Sequence, residues 1–462
     1  MDFRNPIYWY FVLSLLYVNT ALIIYYVARE LKKSLSVDRK VVMLFLVVPI
    51  LTFMPIPPLH YANSFMHFSL GKALAANPFS IGHCLHVSAD GCNLMSFPAW
   101  SYEYHIILSL FTRIGSVGVQ LMNSIFIGLF LAFTYLSIRK YSKTPIYLAA
   151  AVMPQMLLYL STPIMEYAVL GLGAVFYYFL IEFFDRGKAT PLIVSAMYFL
   201  HLRPESFVYV LLLSPFFMKS ILKDRRLMAF TSVNLVVKYF EYQRSLFAPE
   251  YGLFLARRIP LLIERIIPAI AYFFNPFNFN LVFIILLGVG IIETLRSKKY
   301  LLLLPLAFAF FAYATHFQII FYSTPFNSKI IDIAMAAFPI MILGLRKTNM
   351  PKYLLLLSIF PLMLALTSTA NKASDLYAES MYHKNEIAVL SNNLSMPIFT
   401  YFPYEFEGIA EAVFIMDDFP YGNGSYIVIQ HNSYPNIQKL PCNTTYLTGF
   451  ESLDLLNMTC GG

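Results

Sequence analysis

Long runs of apolar residues, separated by short polar stretches, fill the sequence from its start to about position 370. A helix needs roughly 20 apolar residues to cross a bilayer, so each run predicts a membrane span. The ten clear runs, several of them shorter than a full span, are 7–28, 41–57, 117–138, 145–161, 167–184, 227–241, 277–295, 300–316, 328–344 and 353–370. The pattern predicts an all-α polytopic membrane protein with about ten to twelve transmembrane helices.

Two shorter apolar pieces, 190–201 and 205–218, lie on either side of the polar sequence His201-Leu202-Arg203-Pro204-Glu205. Neither piece is long enough to be a full span. Together they predict a helical hairpin or one broken span.

Composition supports a membrane protein and excludes several other classes. Of the 462 residues, 58% are hydrophobic and only 13% are charged, and the mean hydropathy is +0.63. Soluble domains are roughly a quarter charged. We therefore exclude a soluble enzyme, a disordered chain and a small disulfide-stabilised protein. The net charge of +8 does not indicate nucleic-acid binding, because the basic residues lie in clusters between the apolar runs.

Those clusters predict the topology. When the spans are threaded in order, six basic loops fall on one side, and they hold 20 of the 33 lysines and arginines. Because cytoplasmic loops are enriched in Lys and Arg, we assign that side to the cytoplasm, which places both termini outside. We interpret 7–28 as a retained span, since it is too long for a signal peptide and ends in a basic cluster. The basic loops are 29–40, 139–143, 186–188, 219–226, 296–299 and 346–352.

The tail after residue 370 has the opposite charge balance, with 10 acidic and 3 basic residues. It also carries all four Asn-X-Ser/Thr sequons of the chain, which predicts a glycosylated extracytoplasmic segment. The alternative is an asparagine-rich polar tail in which sequons occur by chance. The four asparagines are Asn393, Asn423, Asn443 and Asn457.

The four cysteines fall on the predicted outer side. Cys84 and Cys92 lie in the first long outer loop, and Cys442 and Cys460 lie in the tail. An oxidising compartment favours two local disulfides, one in each segment. A zinc site is not indicated, because no His/Cys group has zinc-ligand spacing.

The sequence divides into two parts. The transmembrane domain covers 1–370 and includes an outer loop, 58–104, with interfacial amphipathic helices, and an outer segment, 242–276. The tail, 371–462, predicts a small α/β domain. Its predicted helices are 373–391 and 404–415, and its predicted strands are 397–401, 426–430 and 445–448.

Charged residues within or next to spans are costly in lipid, so each is a candidate site residue. Each also has a structural alternative. Arg203 and Glu205 could pair only with each other, Glu166 could cap the next helix, and Lys329 could snorkel to head groups. The remaining candidates are His60 and Glu103 in the outer loop and the basic pair Arg257 and Arg258 in the outer segment.

The order of these features resembles the GT-C superfamily of membrane glycosyltransferases. The resemblance covers about 58–345 and is architectural. In that family an outer loop leads into a proline-containing aromatic segment, a helix that ends near a glycine, and a span with a basic cytoplasmic end. The matching features are Phe97-Pro98-Ala99-Trp100, Gly115, Asn123, Arg139-Lys140, the outer acid Glu166, Leu202-Arg203-Pro204-Glu205 and Phe326-Asn327-Ser328-Lys329.

The chain departs from the family in its first outer loop. The family usually places an Asp there, as catalytic base or metal ligand, whereas this loop has His60-Tyr61-Ala62-Asn63 and no Asp before Asp90. The span 7–28 is also additional. The Trp-Trp-Asp signature of oligosaccharyltransferases is absent, which favours transfer of a single sugar.

The resemblance implies transfer of a hexose or pentose from a polyprenyl-phosphate-linked donor to a glycan, lipid or protein acceptor on the outer face. His60, Glu103 or Glu166 would act as base, and Arg203, Glu205, Arg257, Arg258 and Lys329 would bind the donor and its phosphate. A divalent metal is possible, although no ligand cluster can be identified. The alternatives are a transporter of lipid or solute and a non-catalytic protein that presents its glycosylated tail to a partner.

Overall fold

The structure of this protein is a computed structural model. It describes residues 6–35, 38–56, 62–80, 83–84, 86–88, 91–92, 95–96, 102–141, 154–244, 265–271, 274, 280–316, 330–347, 359–371, 374–375, 386, 398–400, 412–414, 424–431, 443–449 and 453–460.

Helices make up most of this part of the chain. Three of them are long and apolar enough to cross a membrane, and six shorter apolar helices accompany them. The prediction of a polytopic helical protein with a sheet near its C-terminus is confirmed. The helices are α1 (Pro6–Leu35), α2 (Lys40–Phe45), α3 (Val47–Thr52), α4 (Ala62–Ala76), α5 (Glu103–Ser109), α6 (Gly115–Arg139), α7 (Glu166–Arg186), α8 (Ala189–Leu200), α9 (Pro204–Leu213), α10 (Met218–Lys223), α11 (Arg225–Arg244), α12 (Leu281–Arg296), α13 (Leu303–His316), α14 (Ile330–Lys347) and α15 (Ile359–Asn371).

Two predicted spans differ from the structure. The run 41–57 forms two short helices that are separated at Leu46, because Pro49 has no N–H to donate to the carbonyl of Phe45. The second helix ends at Thr52. The outer end of the run 145–161 is a 3-10 turn, Pro154–Leu157, followed by further turns rather than an α-helix. The rest of that run, before residue 154, lies outside the described residues.

The centre of the bundle is formed by α6, α7, α12 and α14, which pack closely. Gly171 of α7 lies against the backbone of Phe126, where an added Cβ would come within 2.7 Å of the carbonyl oxygen. Gly290 of α12 meets Ile340 of α14 in the same way, at 2.2 Å. Small residues let helix backbones approach within a membrane, where packing rather than water exclusion drives association.

Ion pairs join the basic ends of several helices. Lys140, after α6, contacts Glu182 of α7, and Arg139 lies 3.5 Å from Asp38 in the turn before α2. The described residues of the loops 29–40, 139–143 and 186–188 therefore lie at one end of the bundle, which agrees with their assignment to one side of the membrane. Gly187 ends α7 there, in a left-handed conformation.

The strands in the structure match the predicted strands of the tail only in part. The strands are β1 (His83–Cys84), β2 (His86–Ser88), β3 (Gly91–Cys92), β4 (Met95–Ser96), β5 (Ile398–Thr400), β6 (Ala412–Phe414), β7 (Gly424–His431), β8 (Asn443–Gly449) and β9 (Leu453–Cys460). β5, β7 and β8 match predicted strands. The predicted helix 404–415 is wrong at its end, which is strand β6, and β9 was not predicted.

One mixed sheet contains strands from both the outer loop and the tail, in the order β3-β2-β6-β5-β7-β9-β8. His86 and Val87 of β2 pair with Val413 and Ala412 of β6 in antiparallel register. β5 is parallel to both β6 and β7, and the other pairs are antiparallel. The tail is therefore hydrogen-bonded to the loop that connects α4 to α5.

Val413→Pro should separate the loop from the tail, because proline removes a backbone N–H and is not tolerated within a sheet. We expect a protease added to the purified protein in detergent to cleave the loop 58–104 at least several times faster in this variant. Val413→Thr keeps the backbone donor and is the control. Equal cleavage rates in the two variants would contradict the coupling.

Candidate functional site

The turn between α8 and α9 contains an arginine, at the tip of a helical hairpin. The residue before a proline is disfavoured in the helical region, and Arg203 is accordingly extended, with φ −151° and ψ 158°, while Pro204 begins α9. The break predicted between 190–201 and 205–218 is thus confirmed. The second helix, α9, is shorter than predicted and ends at Leu213.

Three carboxylates from three helices surround this arginine, and we name the four residues the Arg203 cluster. Arg203 Nε and Nη2 donate to the Oε2 and Oε1 atoms of Glu205 at 3.1 and 3.0 Å. Nη1 lies 3.2 Å from both oxygens of Asp332, in the first turn of α14. Nη1 also lies 3.5 Å from Oε1 of Glu166, the first residue of α7.

Burial makes this arrangement energetically demanding. Arg203 is 5% exposed and Asp332 is 1% exposed. A buried charge is tolerated only when partners replace its lost hydration, and removing one partner of such a group typically costs about 3–5 kcal/mol. The guanidinium and its carboxylates therefore depend on one another for their place in the bundle.

The Arg203 cluster lies at the opposite end of α7 from the basic loops. Glu166 opens this 21-residue helix, and Arg186 closes it. At 1.5 Å per residue the two are about 30 Å apart, which is close to the thickness of a hydrocarbon core.

Asn123 of α6 fixes the chain before Glu166. Its Nδ2 donates to the carbonyls of Leu160 and Thr162, both at 2.9 Å, and its side chain is fully buried. These bonds hold the turn that leads into α7. Asn123 thus helps to set the position of Glu166.

Glu103 belongs to a second buried polar group, the Glu103 cluster. Its Oε1 accepts from Asn19 Nδ2 at 3.3 Å and its Oε2 from Thr20 Oγ1 at 3.1 Å, both on α1. The same cluster contains Asn234 of α11, whose Oδ1 accepts from Asn19 at 2.7 Å, and the pair His201 Nδ1 and Glu241 Oε2, at 2.7 Å.

Burial raises the pKa of Glu103 well above its ordinary value, and the charge of Glu241 raises it further. The hydrogen bonds from Asn19 and Thr20 act in the opposite direction and lower this pKa. The hydrogen bonds with Asn19 and Thr20 also join α5 to α1.

Consecutive residues of α5 contact different neighbouring helices. His105 Nε2 lies 2.8 Å from Nδ1 of His67 on α4, so one imidazole donates to the other. The ring of Tyr104, between Glu103 and His105, packs edge-on against His67 with centroids 5.5 Å apart. These contacts hold α5 against α4.

The structure brings together some predicted site residues and separates others. Glu166, Arg203 and Glu205 meet, while Glu103 lies in its own cluster. Asp332 is also bound by Arg203, a contact between residues 129 positions apart that the sequence does not indicate. His60, Arg257, Arg258 and Lys329 lie outside the described residues.

Other predictions remain open. The backbones of Cys84, Cys92 and Cys460 lie in strands, but their side chains and all of Cys442 are outside the described part of the chain, so both disulfides remain predictions. Asn393 and Asn423 are also outside it. Within the described residues no group of three or more His, Cys, Asp or Glu side chains could hold a metal ion. The carboxylates of the Arg203 cluster instead face a guanidinium.

Comparisons with known proteins give limited similarity. No protein-family model matches the chain, and no curated protein matches it. Among solved structures, ArnT from Cupriavidus metallidurans bound to undecaprenyl phosphate is 12% identical with a TM-score of 0.49, covering 90% of this chain and 97% of that chain. The apo state of ArnT is 11% identical with a TM-score of 0.46, covering 91% and 98%. At these values neither structure assigns a family or an activity to this chain.

Arg203→Leu should destabilise the folded protein by about 3–5 kcal/mol, because it leaves buried carboxylates without their cation. The double variant Arg203→Leu/Asp332→Asn removes one of the stranded charges and should recover part of this loss. Thermal unfolding of the purified protein in detergent measures both. If the two substitutions are additive, the guanidinium and Asp332 are not coupled.

Proposed function

We propose that this protein is a membrane glycosyltransferase that transfers one sugar from a polyprenyl-phosphate-linked donor to an acceptor on the extracytoplasmic face. The observation that carries the proposal is the Arg203 cluster. Acidic side chains from α7, α9 and α14 converge in a polytopic bundle, at the end opposite the basic loops. This position suits a donor whose lipid tail lies between spans while its sugar meets the acceptor at the outer surface.

Glu166 is the best-placed base. Glu205 and Asp332 each make two contacts of 3.0–3.2 Å with Arg203, whereas Glu166 lies 3.5 Å away. The unsatisfied N–H groups in the first turn of α7 stabilise its negative charge. Glu166 is therefore held less tightly by the guanidinium than the other two carboxylates, and Asn123 sets its position.

The reaction proceeds by a single displacement. Glu166 accepts the proton of an acceptor hydroxyl, whose oxygen attacks the anomeric carbon of the donor sugar. The bond between that carbon and the phosphate oxygen breaks, and polyprenyl phosphate departs with the electron pair. The new glycosidic bond has inverted configuration. Cations beside the phosphate stabilise the departing charge.

Arg203 has a different role from the one that its sequence suggests. Its Nε and both terminal nitrogens already donate to carboxylates, so a phosphate would have to displace one of them. We assign it to holding the acids in place. Phosphate binding then falls to the other predicted cations, Arg257, Arg258 and Lys329.

Glu166→Gln should lower the rate of sugar transfer by about 10²–10⁴-fold, the usual contribution of a general base. The purified protein is incubated with polyprenyl-phosphate-linked sugars extracted from host membranes, and released polyprenyl phosphate is measured by mass spectrometry. Asp185→Asn, which removes an acid from the other end of α7, is the control and should keep normal activity. A Glu166→Gln variant with more than a tenth of wild-type activity would rule out this base.

The same proposal places the tail outside the cytoplasm, and two sequons test that placement. Asn443 is exposed on β8, and Asn457 lies on β9. Residues that face each other across a strand pair share one side of the sheet. Since Asn443 pairs with Thr459 and Asn457 pairs with Thr445, both asparagines lie on one face, whereas the buried Leu456 and Met458 lie on the other.

Protein isolated from its native host should lose one glycan mass with Asn443→Gln and two with Asn443→Gln/Asn457→Gln, measured as gel mobility before and after glycosidase treatment. Thr445→Ser keeps the first sequon and should not change mobility. Wild-type protein that is insensitive to glycosidase in a host that glycosylates other membrane proteins would contradict the external tail.

Transport is the second candidate, and the Glu103 cluster favours it. Asn19 and Asn234 lie well inside the long helices α1 and α11, and polar side chains at such positions are common in transporters. Transport of the lipid donor without release of polyprenyl phosphate, in the assay above, would favour this function over transfer.

A further inference from the structure

Four exposed cations lie where α10 leads into α11, and we name them the basic segment: Lys219, Lys223, Arg225 and Arg226. None of their side chains makes an ion pair, a hydrogen bond or a cation–π contact with the described residues. Asp224 lies among them, but its Oδ1 accepts from the backbone N–H groups of Arg226 and Leu227 and so caps α11. The four positive charges are therefore not neutralised by the described part of the chain.

The other basic loops differ in this respect. In each of the loops 29–40, 139–143, 186–188 and 296–299, at least one cation is bound within the protein. The bound cations include Lys33, Lys140, Arg186 and Lys299. The basic segment has no such internal contact among the described residues, so its charges are available to a partner outside the chain.

The helix α10 also exposes apolar side chains. Phe217 and Ile221 are buried against the bundle, at 1% and 5% exposure, whereas Met218 and Leu222 are 43% and 66% exposed. Residues four apart lie on one side of a helix, and each step along the chain turns it by about 100°. The buried pair, the exposed apolar pair and the two lysines of the basic segment therefore form three adjacent faces.

α10 lies at the end of the bundle that carries the basic loops. Phe216, just before α10, packs edge-on against Phe184 in the last turn of α7, with ring centroids 5.2 Å apart. Lys299 from another basic loop lies 4.8 Å from the centroid of the same Phe184 ring. Because the long helices end at this level, the exposed faces of α10 lie where lipid head groups meet acyl chains.

The two exposed faces of α10 together indicate the chemistry of the partner. At a bilayer surface, apolar side chains enter the acyl region while long basic side chains reach the head groups. Each Lys or Arg near an anionic lipid surface raises the binding affinity by about fivefold. A zwitterionic head group has no net charge to attract these cations.

We propose that α10 and the basic segment form a binding surface for anionic phospholipids, in which the basic segment contacts the head groups and Met218 and Leu222 contact the acyl chains. Charge complementarity and the adjoining apolar face carry the proposal. It is independent of the proposed function, because this surface lies at the opposite end of α7 from the Arg203 cluster.

The test measures binding of two lipids with the same acyl chains, phosphatidylglycerol and phosphatidylcholine, to the full chain in detergent by native mass spectrometry. Wild-type protein should bind phosphatidylglycerol more tightly. The variant Lys219→Gln/Lys223→Gln/Arg225→Gln/Arg226→Gln should weaken phosphatidylglycerol binding at least about tenfold, since four cations are lost, and should leave phosphatidylcholine binding unchanged. Equal binding of the two lipids by wild-type protein would overturn the proposal.

A matched control removes the same charge elsewhere. Lys32→Gln/Arg39→Gln/Arg296→Gln/Lys298→Gln also replaces two lysines and two arginines, all exposed, but in two other basic loops. This variant should keep the preference for phosphatidylglycerol. If both fourfold variants lose it equally, the total charge of the protein attracts the lipid and the proposed surface is wrong.

Two further variants separate charge from apolar contact. Lys219→Arg/Lys223→Arg keeps both charges and should bind phosphatidylglycerol as wild-type protein does. Leu222→Ser should weaken binding of both lipids, because it removes the most exposed apolar contact of α10. Since all of these side chains are exposed, no variant should unfold at a lower temperature in lipid-free detergent. Loss of lipid binding together with earlier unfolding would assign the residues to folding and overturn the proposal.

The remaining arms distinguish a lipid from a soluble anion and from the transferred substrate. If glycerol phosphate raises the unfolding temperature of wild-type protein as much as phosphatidylglycerol does, the basic segment binds free phosphate and the lipid surface is wrong. Glu166→Gln should bind phosphatidylglycerol like wild-type protein, so an absence of sugar transfer leaves this proposal intact. Loss of phosphatidylglycerol binding in Glu166→Gln would place the lipid at the other end of the bundle and contradict the surface.

Discussion

A buried guanidinium bound by carboxylates from separate helices is the constraint on which the rest of the bundle depends. Arg203 cannot be accommodated in an apolar interior unless α7, α9 and α14 bring their acids to it. Each of those acids opens its helix or lies in the first turn. The ion pairs therefore fix the depth of three helices relative to one another, which apolar packing alone specifies only weakly.

Much of this architecture could be predicted from local sequence. The apolar runs gave most helices, and the Leu202-Arg203-Pro204 sequence predicted the break in the hairpin because proline restricts the residue before it. Glu166 was recognisable as an acid beside an apolar run. These features depend on neighbours along the chain, which is why one sequence is enough to find them.

The remaining features depend on contacts between distant residues. Asp332 binds an arginine 129 positions away, and nothing near Asp332 distinguishes that partner from Lys329. Glu103 was predicted as a candidate base, and its hydrogen bonds with Asn19 and Thr20, 84 and 83 positions away, are a second feature that its sequence neighbours do not indicate. The residues of β6 were predicted as the end of a helix. A strand of three residues is specified by the strands beside it rather than by its own residues, so its sequence alone does not reveal it.

The sheet shared by loop and tail has a consequence for how the protein is made. β2 is synthesised about 325 residues before its partner β6. At ribosomal rates of about 5–20 residues per second, it waits roughly 15–65 s for that partner. β2 therefore reaches its final pairing only after the last helix and the first strands of the tail have been synthesised. A nascent chain that stops before residue 412 lacks the partner strand of β2, which makes synthesis of the tail a prerequisite for the finished sheet.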